Sequence, residues 1–383
     1  MIISIIFTTT TFAHAQSETA STGYKDGFYF QTDDGNFLFK VGSRINTLYS
    51  YGKLENEPNV SSLDLAHAKL YFGGHAFNKT IQFYAQSAFA QNTRSNPLGL
   101  QNENTAFSLE DYYVRGNYGD VALQMGQFKV PFSKQYMIYS GNLQFATRSI
   151  ASDAFQFGRD RGVLLTGKKT WLSYMLGFFN GGSQMTMPSI SNLTNSQNIS
   201  NDSNGQGLMY IARLSVFPQR PTGFSEGDVD FNEASRIEWG TSVALDQNRD
   251  FDTDFNQSLD EPKTNTLSVS SDFSYLRRGF SLQGEFYYRN NHFQSISDVH
   301  SIGFYAQTGY FIMPRSFEIA ARYAWLDPNH NTGNDQSREI SGVLNWYISN
   351  NHKHKMQWQY TNVHQDVASK NDHWFHWMVQ LTI

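Results

Sequence analysis

The sequence predicts an all-β chain: a transmembrane antiparallel β-barrel of about 16 strands with a long internal constriction loop. Three observations carry this. Apolar and polar residues alternate over stretches much longer than the usual strand of about five or six residues. The chain ends on HWFHWMVQLTI, in which Phe375, Trp377, Val379, Leu381 and Ile383 form one unbroken apolar face. Between two strand-like runs, residues 121–169 hold a long segment without a clean period that still keeps Tyr136, Tyr139, Phe145, Phe155 and Phe157, so it should pack against something.

The alternation is clearest over residues 37–51. Phe37, Phe39, Val41, Ile45, Thr47, Tyr49 and Tyr51 oppose Lys40, Gly42, Arg44, Asn46, Leu48 and Ser50. A tilted strand needs roughly 9–11 residues to cross a bilayer, and this run supplies them. Residues 63–77 repeat the pattern, with Ala66, Ala68, Leu70 and Phe72 outward and His67, Lys69, Tyr71 and His75 inward. Residues 81–89 and 108–118 follow, then a fifth strand from Val121, the long segment, a sixth strand at about 162–168 and a seventh at 171–179. Residues 180–206 are rich in Asn and Ser and read as a long exposed loop. The stretch 218–231 holds two prolines and two glycines and ends a strand. Later strands are joined alternately by short turns (276–279, 314–316) and longer polar loops (248–263, 327–337), as in outer-membrane barrels. A last strand with a lipid-type face would pair with the first and remove both edges of the sheet.

Composition narrows the class. At 383 residues the length alone suggests two or three soluble domains, but barrels are the exception. The chain has no cysteine, which excludes thiol chemistry and disulfide scaffolds and suits a protein that crosses an oxidising periplasm. A net charge of -5 gives no reason to expect nucleic acid as a partner. No run reaches the roughly 18–20 apolar residues of a membrane helix, which excludes a helical membrane protein. The negative mean hydropathy of -0.49 does not exclude a barrel, because only every second residue faces lipid. Residues 1–15 read as a signal peptide, with Ala13-His14-Ala15 as the small-x-small cleavage site, although the usual positive n-region is missing. Residues 16–36 then form an N-terminal polar segment and 37–383 the barrel.

Several stretches resemble the phosphate-selective porin O/P family: GQFKVPFS (126–133), RSIASDAFQFGRDRGV (148–163), YLRRGFSLQGEFYY (275–288), GYFIMPRSFEIAARYAWLDP (309–328) and ISGVLNWYISNNHK (340–353). They cover nearly the whole mature chain in the expected order. The resemblance implies a sixteen-stranded barrel in the bacterial outer membrane, commonly a homotrimer, whose inner basic residues pass phosphate or related small anions. The family often carries an Arg-Arg-Ala-Arg-Leu cluster on the second strand. Here the matching residues are Ala66-His67-Ala68-Lys69-Leu70, which leaves one fixed cation and a titratable histidine.

The expected pore constriction is basic: Lys129, Lys134, Arg148, Arg159 and Arg161 cluster around the long segment. Further inward cations are Lys40, Arg44, Lys69, Arg115 and Arg213. Rings or ladders of Arg and Lys select anions, and Arg suits phosphate because its planar fork bonds two oxygens at once. The plainer reading is that these charges pair across neighbouring strands, as Arg115 with Asp111 or Arg322 with Glu318. That reading is favoured for Arg289, Arg322 and Lys355 in the second half. Asp111, Asp153 and Asp160 are expected to anchor the loop to the wall. No metal site or cofactor is expected from the histidine spacing, and no nucleophile elbow or phosphate-cradling loop is present. Two other functions stay open. A general or sugar-type porin would need an aromatic slide, and Tyr71, Tyr84, Tyr113 and Tyr287 read as inward but scattered. A barrel hydrolase would need a Ser–His pair on one exterior face.

Overall fold

A computed structural model describes residues 20–91, 107–181, 207–250, 263–293, 297–367 and 369–383. The expected signal peptide, most of the loop at 180–206 and most of that at 248–263 lie outside them. In chain order the strands are β1 (Ala20–Tyr24), β2 (Phe28–Thr32), β3 (Leu38–Lys53), β4 (Val60–Ala76), β5 (Ile81–Gln91), β6 (Ser108–Tyr118) and β7 (Val121–Lys129). They continue as β8 (Arg159–Lys168), β9 (Leu172–Phe179), β10 (Met209–Val216), β11 (Arg236–Asp250), β12 (Lys263–Arg277), β13 (Phe280–Phe293) and β14 (Val299–Met313). The last are β15 (Phe317–Asp327), β16 (Ser337–Tyr347), β17 (His354–Gln365) and β18 (Lys370–Thr382). Each strand from β3 to β18 pairs antiparallel with the next, and β18 returns to β3 through the register Thr382↔Arg44 to His373↔Lys53. The result is a closed barrel of sixteen strands. No described helix is long and apolar enough to cross a membrane.

The barrel inverts the soluble arrangement. Its exposed face is apolar: Met125 is 67% exposed, and Tyr210, Leu214, Val216, Phe286 and Ile340 share that face. Its covered face is polar, as in β12, where Ser268, Ser270, Asp272 and Ser274 are all buried while Leu267 and Phe273 stand out. Hydrocarbon is the solvent in which that inversion is stable. Turns at one end are tight, as at 119–120 and 278–279, where Arg278 and Gly279 both take positive φ.

The structure corrects several sequence expectations. β4 does not keep one phase: the pairing with β3 skips Ala66, so Leu63 and Leu65 point out while Ala66 is buried against Leu48, Met378 and Ala146. A bulge of this kind shifts every later side chain to the other face. β8 begins at Arg159 rather than 162, because Lys129↔Arg159 pairing extends the ladder to the base of the long segment. The segment expected to be a polar lead-in forms the β1–β2 hairpin, and β2 pairs with Leu38–Val41 below the end of β18. Lys353 ties that hairpin down through Asp26 at 2.6 Å; this hydrogen bond holds the Asp26 carboxyl below its usual range. Residues 217–235, at the tight-turn end, do more than end a strand: Thr222, Glu226, Asp228 and Val229 are buried.

Candidate functional site

Residues 130–158 leave β7 and return into β8, closed at the base by a Val130 N–H donating to the Gly158 carbonyl at 3.1 Å. Two short helices form inside the segment, α1 (Lys134–Met137) and α2 (Ile150–Phe155). Each starts at a serine cap: Ser133 accepts from the Tyr136 N–H and Ser149 from the Ser152 N–H. Gly158, at φ +72°, supplies the turn back into β8.

Polar side chains from ten consecutive strands of the ring, β10 to β18 and β3, hold this segment. Arg213, Ser242 and Ser270 donate to the Phe132 carbonyl. Glu285 accepts from the Ser133 hydroxyl and from the Lys134 and Gln135 N–H groups. Gln135 bonds Gln307, and Gln144 bonds Glu318 at 2.6 Å. Arg289 donates to the carbonyls of Ala154 and Phe155, and Arg322 to those of Thr147 and Arg148. Glu339 takes the Ile150 N–H, Lys355 donates to Leu143, and Gln380 donates to Gly141. A single segment can reach that much of a closed ring only from its interior. Phe132, Phe155 and Phe157 join Tyr287, Tyr305 and Leu326 in the largest apolar cluster there. A second piece supports it from the tight-turn end: Glu226 bonds Gln135 and the Gln144 N–H, and Thr222 bonds Lys134.

The other side of the segment keeps accessible atoms at Met137, Tyr139, Ser140, Asn142, Thr147 and Arg148. Opposite, the inward faces of β3–β8 are accessible at Lys40, Tyr71, Gln82, Tyr84, Asp111, Tyr113, Arg115 and Arg159. The basic residues converge here. Arg159 grips Asp111 with two bonds of 3.1 Å and lies 3.4 Å from Glu110. Lys69 bonds both Glu110 oxygens at 2.6 and 2.7 Å. Arg44 bonds Ser140 at 2.6 Å and lies 4.2 Å over the Tyr139 ring, while its Nε and Nη1 reach no protein acceptor. Tyr136 carries Lys129 and Arg148 on its ring, each 5.0 Å from the centroid. Lys129 also donates to the Tyr136 and Ile138 carbonyls, and Arg148 to Ile138. Five cations, Arg44, Lys69, Lys129, Arg148 and Arg159, therefore meet two carboxylates, Glu110 and Asp111.

The remaining candidates lie elsewhere. Lys134 is buried against Glu238 at 3.1 Å and Arg213 against Asp272 at 2.7 Å, on the sealed side of the segment. Arg161 is exposed on the outer face, because the β8 residues on its phase, Val163 and Leu165, line an apolar groove outside the wall. Lys40 donates to the Lys25 carbonyl of the N-terminal hairpin. Arg115 bonds Thr166 at 2.8 Å, not Asp111, and Arg322 pairs with Glu339, not Glu318. Asp160 accepts from the Arg161 and Gly181 N–H groups and so clamps β8 to the end of β9. Asp153 lies in the first turn of α2, and it is Glu339 and Arg289 that bond that helix to the wall.

Glu110 is the residue that alternation misses. Period two puts Asp111 inward and Glu110 outward, but the β5–β6 pairing skips Glu110, and both face the interior. Tyr71, Tyr84 and Tyr113 are not scattered: they lie side by side on β4, β5 and β6 with centroids 6.3 and 5.7 Å apart. Tyr287, by contrast, is sealed against Phe155. Among the described residues two Ser–His hydrogen bonds form, Ser50–His376 at 3.0 Å and Ser225–His352 at 2.9 Å. The second ring nitrogen of each histidine reaches no protein partner, so neither has the orienting carboxylate of a catalytic triad. Among the described residues no group of three or more His, Asp or Glu could hold a metal ion.

Residues 39–378 match the family described as phosphate-selective porin O and P. No curated protein matches. The chain is similar in structure to an anion-selective porin from Comamonas acidovorans, with a TM-score of 0.62 at 8% identity, covering 91% of this chain and 100% of that one. The outer membrane channel DcaP of Acinetobacter baumannii aligns with a TM-score of 0.59 at 9% identity over 92% and 99% of the two chains. OmpT of Vibrio cholerae, in a trimer form, gives 0.58 at 7% identity over 90% and 99%. At such identities the likeness concerns the barrel.

Proposed function

For a chain that belongs to the phosphate-selective porin O and P family, and is thus a porin of the bacterial outer membrane, we propose a specific route and filter. Small anions pass between residues 137–148 and the inward faces of β3–β8, through the field of Arg44, Lys69, Lys129, Arg148 and Arg159. The observation that carries this is the imbalance of charge. Around the accessible strip five cations, of which Arg44 and Lys69 are themselves covered, meet two carboxylates, whereas on the sealed side Lys134, Arg213 and Arg322 each have an acidic partner and Arg289 and Lys355 are spent on carbonyls of the segment. A narrow water-filled section with low-dielectric walls focuses such a field and concentrates ions of the opposite sign. Arg148 offers guanidinium N–H groups to an oxyanion, Arg44 adds charge from a covered position just behind, and Arg159 supplies charge while held in place by Asp111. Transport here is passive, by fixed charge and size, with no covalent chemistry. The working unit is a homotrimer set in outer-membrane lipid.

Single-channel recording of the purified protein in asymmetric KCl tests the reading. The expected reversal potential has the sign of chloride preference. A potential of the cation-preferring sign overturns it.

A further inference from the structure

The tyrosine row sits at a fixed place relative to the charges. On three neighbouring strands each tyrosine is two residues, one same-face step, from a residue of the charged cluster or one bonded to it: Tyr71 from Lys69, Tyr84 from Gln86, which donates to Glu110, and Tyr113 from Asp111. Because β4 and β6 run toward the tight-turn end and β5 runs away from it, all three steps point the same way. The row therefore forms a belt directly on the tight-turn side of the cations.

The Tyr71 and Tyr84 rings lie flat on the wall because glycines leave room for them. A Cβ on Gly42 of β3 would stand 2.2 Å from the Tyr71 ring, and one on Gly73 of β4 would stand 3.2 Å from that of Tyr84. Each ring covers the glycine of the preceding strand, and consecutive planes are inclined by only 23° and 30°. The phenols are tied at the edges, Tyr71 to the Ile383 carbonyl at 3.0 Å and Tyr84 to Gln86 at 2.9 Å. One face of the Tyr71 ring and one of the Tyr84 ring are thus spent on the wall. The accessible part of each faces the lumen, since all three residues are inward and only half-buried.

A bare phosphate has no use for such a surface. We propose that the passage preferentially binds small carboxylates carrying a flat ring, of the benzoate type, with the carboxylate at Arg148 in the field of the covered Arg44 and Lys69 and the ring on the belt of Tyr71, Tyr84 and Tyr113. This rests on the anion-preferring reading above and names the solute class that reading leaves open. Offset aromatic contact adds a discrimination of roughly threefold to tenfold over a carboxylate without a ring.

The test measures inhibition of the chloride current through the full-length channel in a planar bilayer by benzoate, acetate and cyclohexanecarboxylate at neutral pH. All three bear one charge, so their ratios are insensitive to changes in anion preference itself. Benzoate is expected to act at roughly threefold to tenfold lower concentration than either comparator. Tyr84→Leu should bring the ratio close to one, Tyr84→Phe should keep it, and Tyr71→Leu gives a second reading if Tyr84→Leu does not fold. Equal inhibition by benzoate and acetate, a match between benzoate and cyclohexanecarboxylate, or a ratio unchanged in both leucine variants overturns the proposal. Chloride preference in KCl with no preference for benzoate removes this inference alone; cation preference removes the reading beneath it.

Discussion

The two halves of the barrel wall carry basic residues of the same kinds and use them differently. Along β10–β18 the inward arginines and lysines are sealed: Arg289 is 1% exposed, Arg322 2% and Lys355 below 1%, each donating to backbone carbonyls of residues 130–158. Along β3–β8 Arg44 at 0% and Lys69 at 5% are covered as well, but they stand beside Lys129, Arg148 and Arg159, which border an accessible strip, and the Arg159 side chain keeps 17% of its surface. The difference teaches that a cation count along the lumen does not locate a filter. What separates a clamp from a filter is whether the cluster as a whole holds more cations than carboxylates beside a strip that water reaches, since Lys129 and Arg148 also donate to carbonyls.

The sharpest break of this comparison is to remove a clamp. Glu285→Ala takes away the acceptor of Ser133 and of two N–H groups of α1 and leaves those donors buried. Leaving a buried donor without its acceptor costs about 1–3 kcal/mol. The expected outcome is a barrel that still inserts but shows a lower unfolding midpoint in urea and a larger, noisier single-channel conductance. A quiet conductance of the wild-type size would mean that the segment does not depend on this half of the wall.

Next in size is selectivity. Arg159→Ala removes a cation, frees Asp111 and leaves Glu110 paired with Lys69, whereas Arg148→Ala removes a cation that holds only carbonyls and a ring. A unit charge a few ångströms from a passing ion contributes about 1 kcal/mol in water-like surroundings. Arg159→Ala should therefore lower the chloride-to-potassium permeability ratio roughly fivefold and Arg148→Ala by clearly less, measured as reversal potentials at low ionic strength. Equal losses would mean that the carboxylates do not reach the route. In both variants the loss should shrink as salt is raised from about 0.1 M to 1 M, because the screening length falls from about 10 to 3 Å.

Sequence alone carried much of this architecture. The two-residue rhythm placed Lys40, Arg44, Asp111 and Arg213 on the inward face, and the apolar face from Phe375 to Ile383 foretold the closure of β18 onto β3. It failed where geometry departs from that rhythm. Skipped residues at Ala66 and Glu110 change the phase of two strands, and no composition signal marks them. The rhythm is also silent about segments outside the strands. Glu226 and Thr222, on a stretch with two prolines, reach the internal segment through tertiary contacts alone. The tyrosine row was hidden for a third reason: adjacency across strands depends on register, which residues far apart in the chain do not reveal.

The smallest expected effect tests the finest distinction. Arg159 and Arg161 are two residues apart, and simple alternation would put both on one face. Yet Arg159 bends to Asp111 inside, while Arg161 is exposed with its side chain on the outer face. Phe128, Asp160 and Leu164 hold the inward phase between and after them, so Arg159 is the member that breaks step, at the first residue of β8 where the ladder meets the internal segment. If charge outside the wall does not reach the route, Arg161→Ala leaves the reversal potential within experimental error of the parent, because the barrel wall and a Debye length of about 10 Å at 0.1 M salt separate it from a permeating ion. A loss as large as that of Arg159→Ala would place both arginines on the same side of the sheet and shift the filter outward along β8.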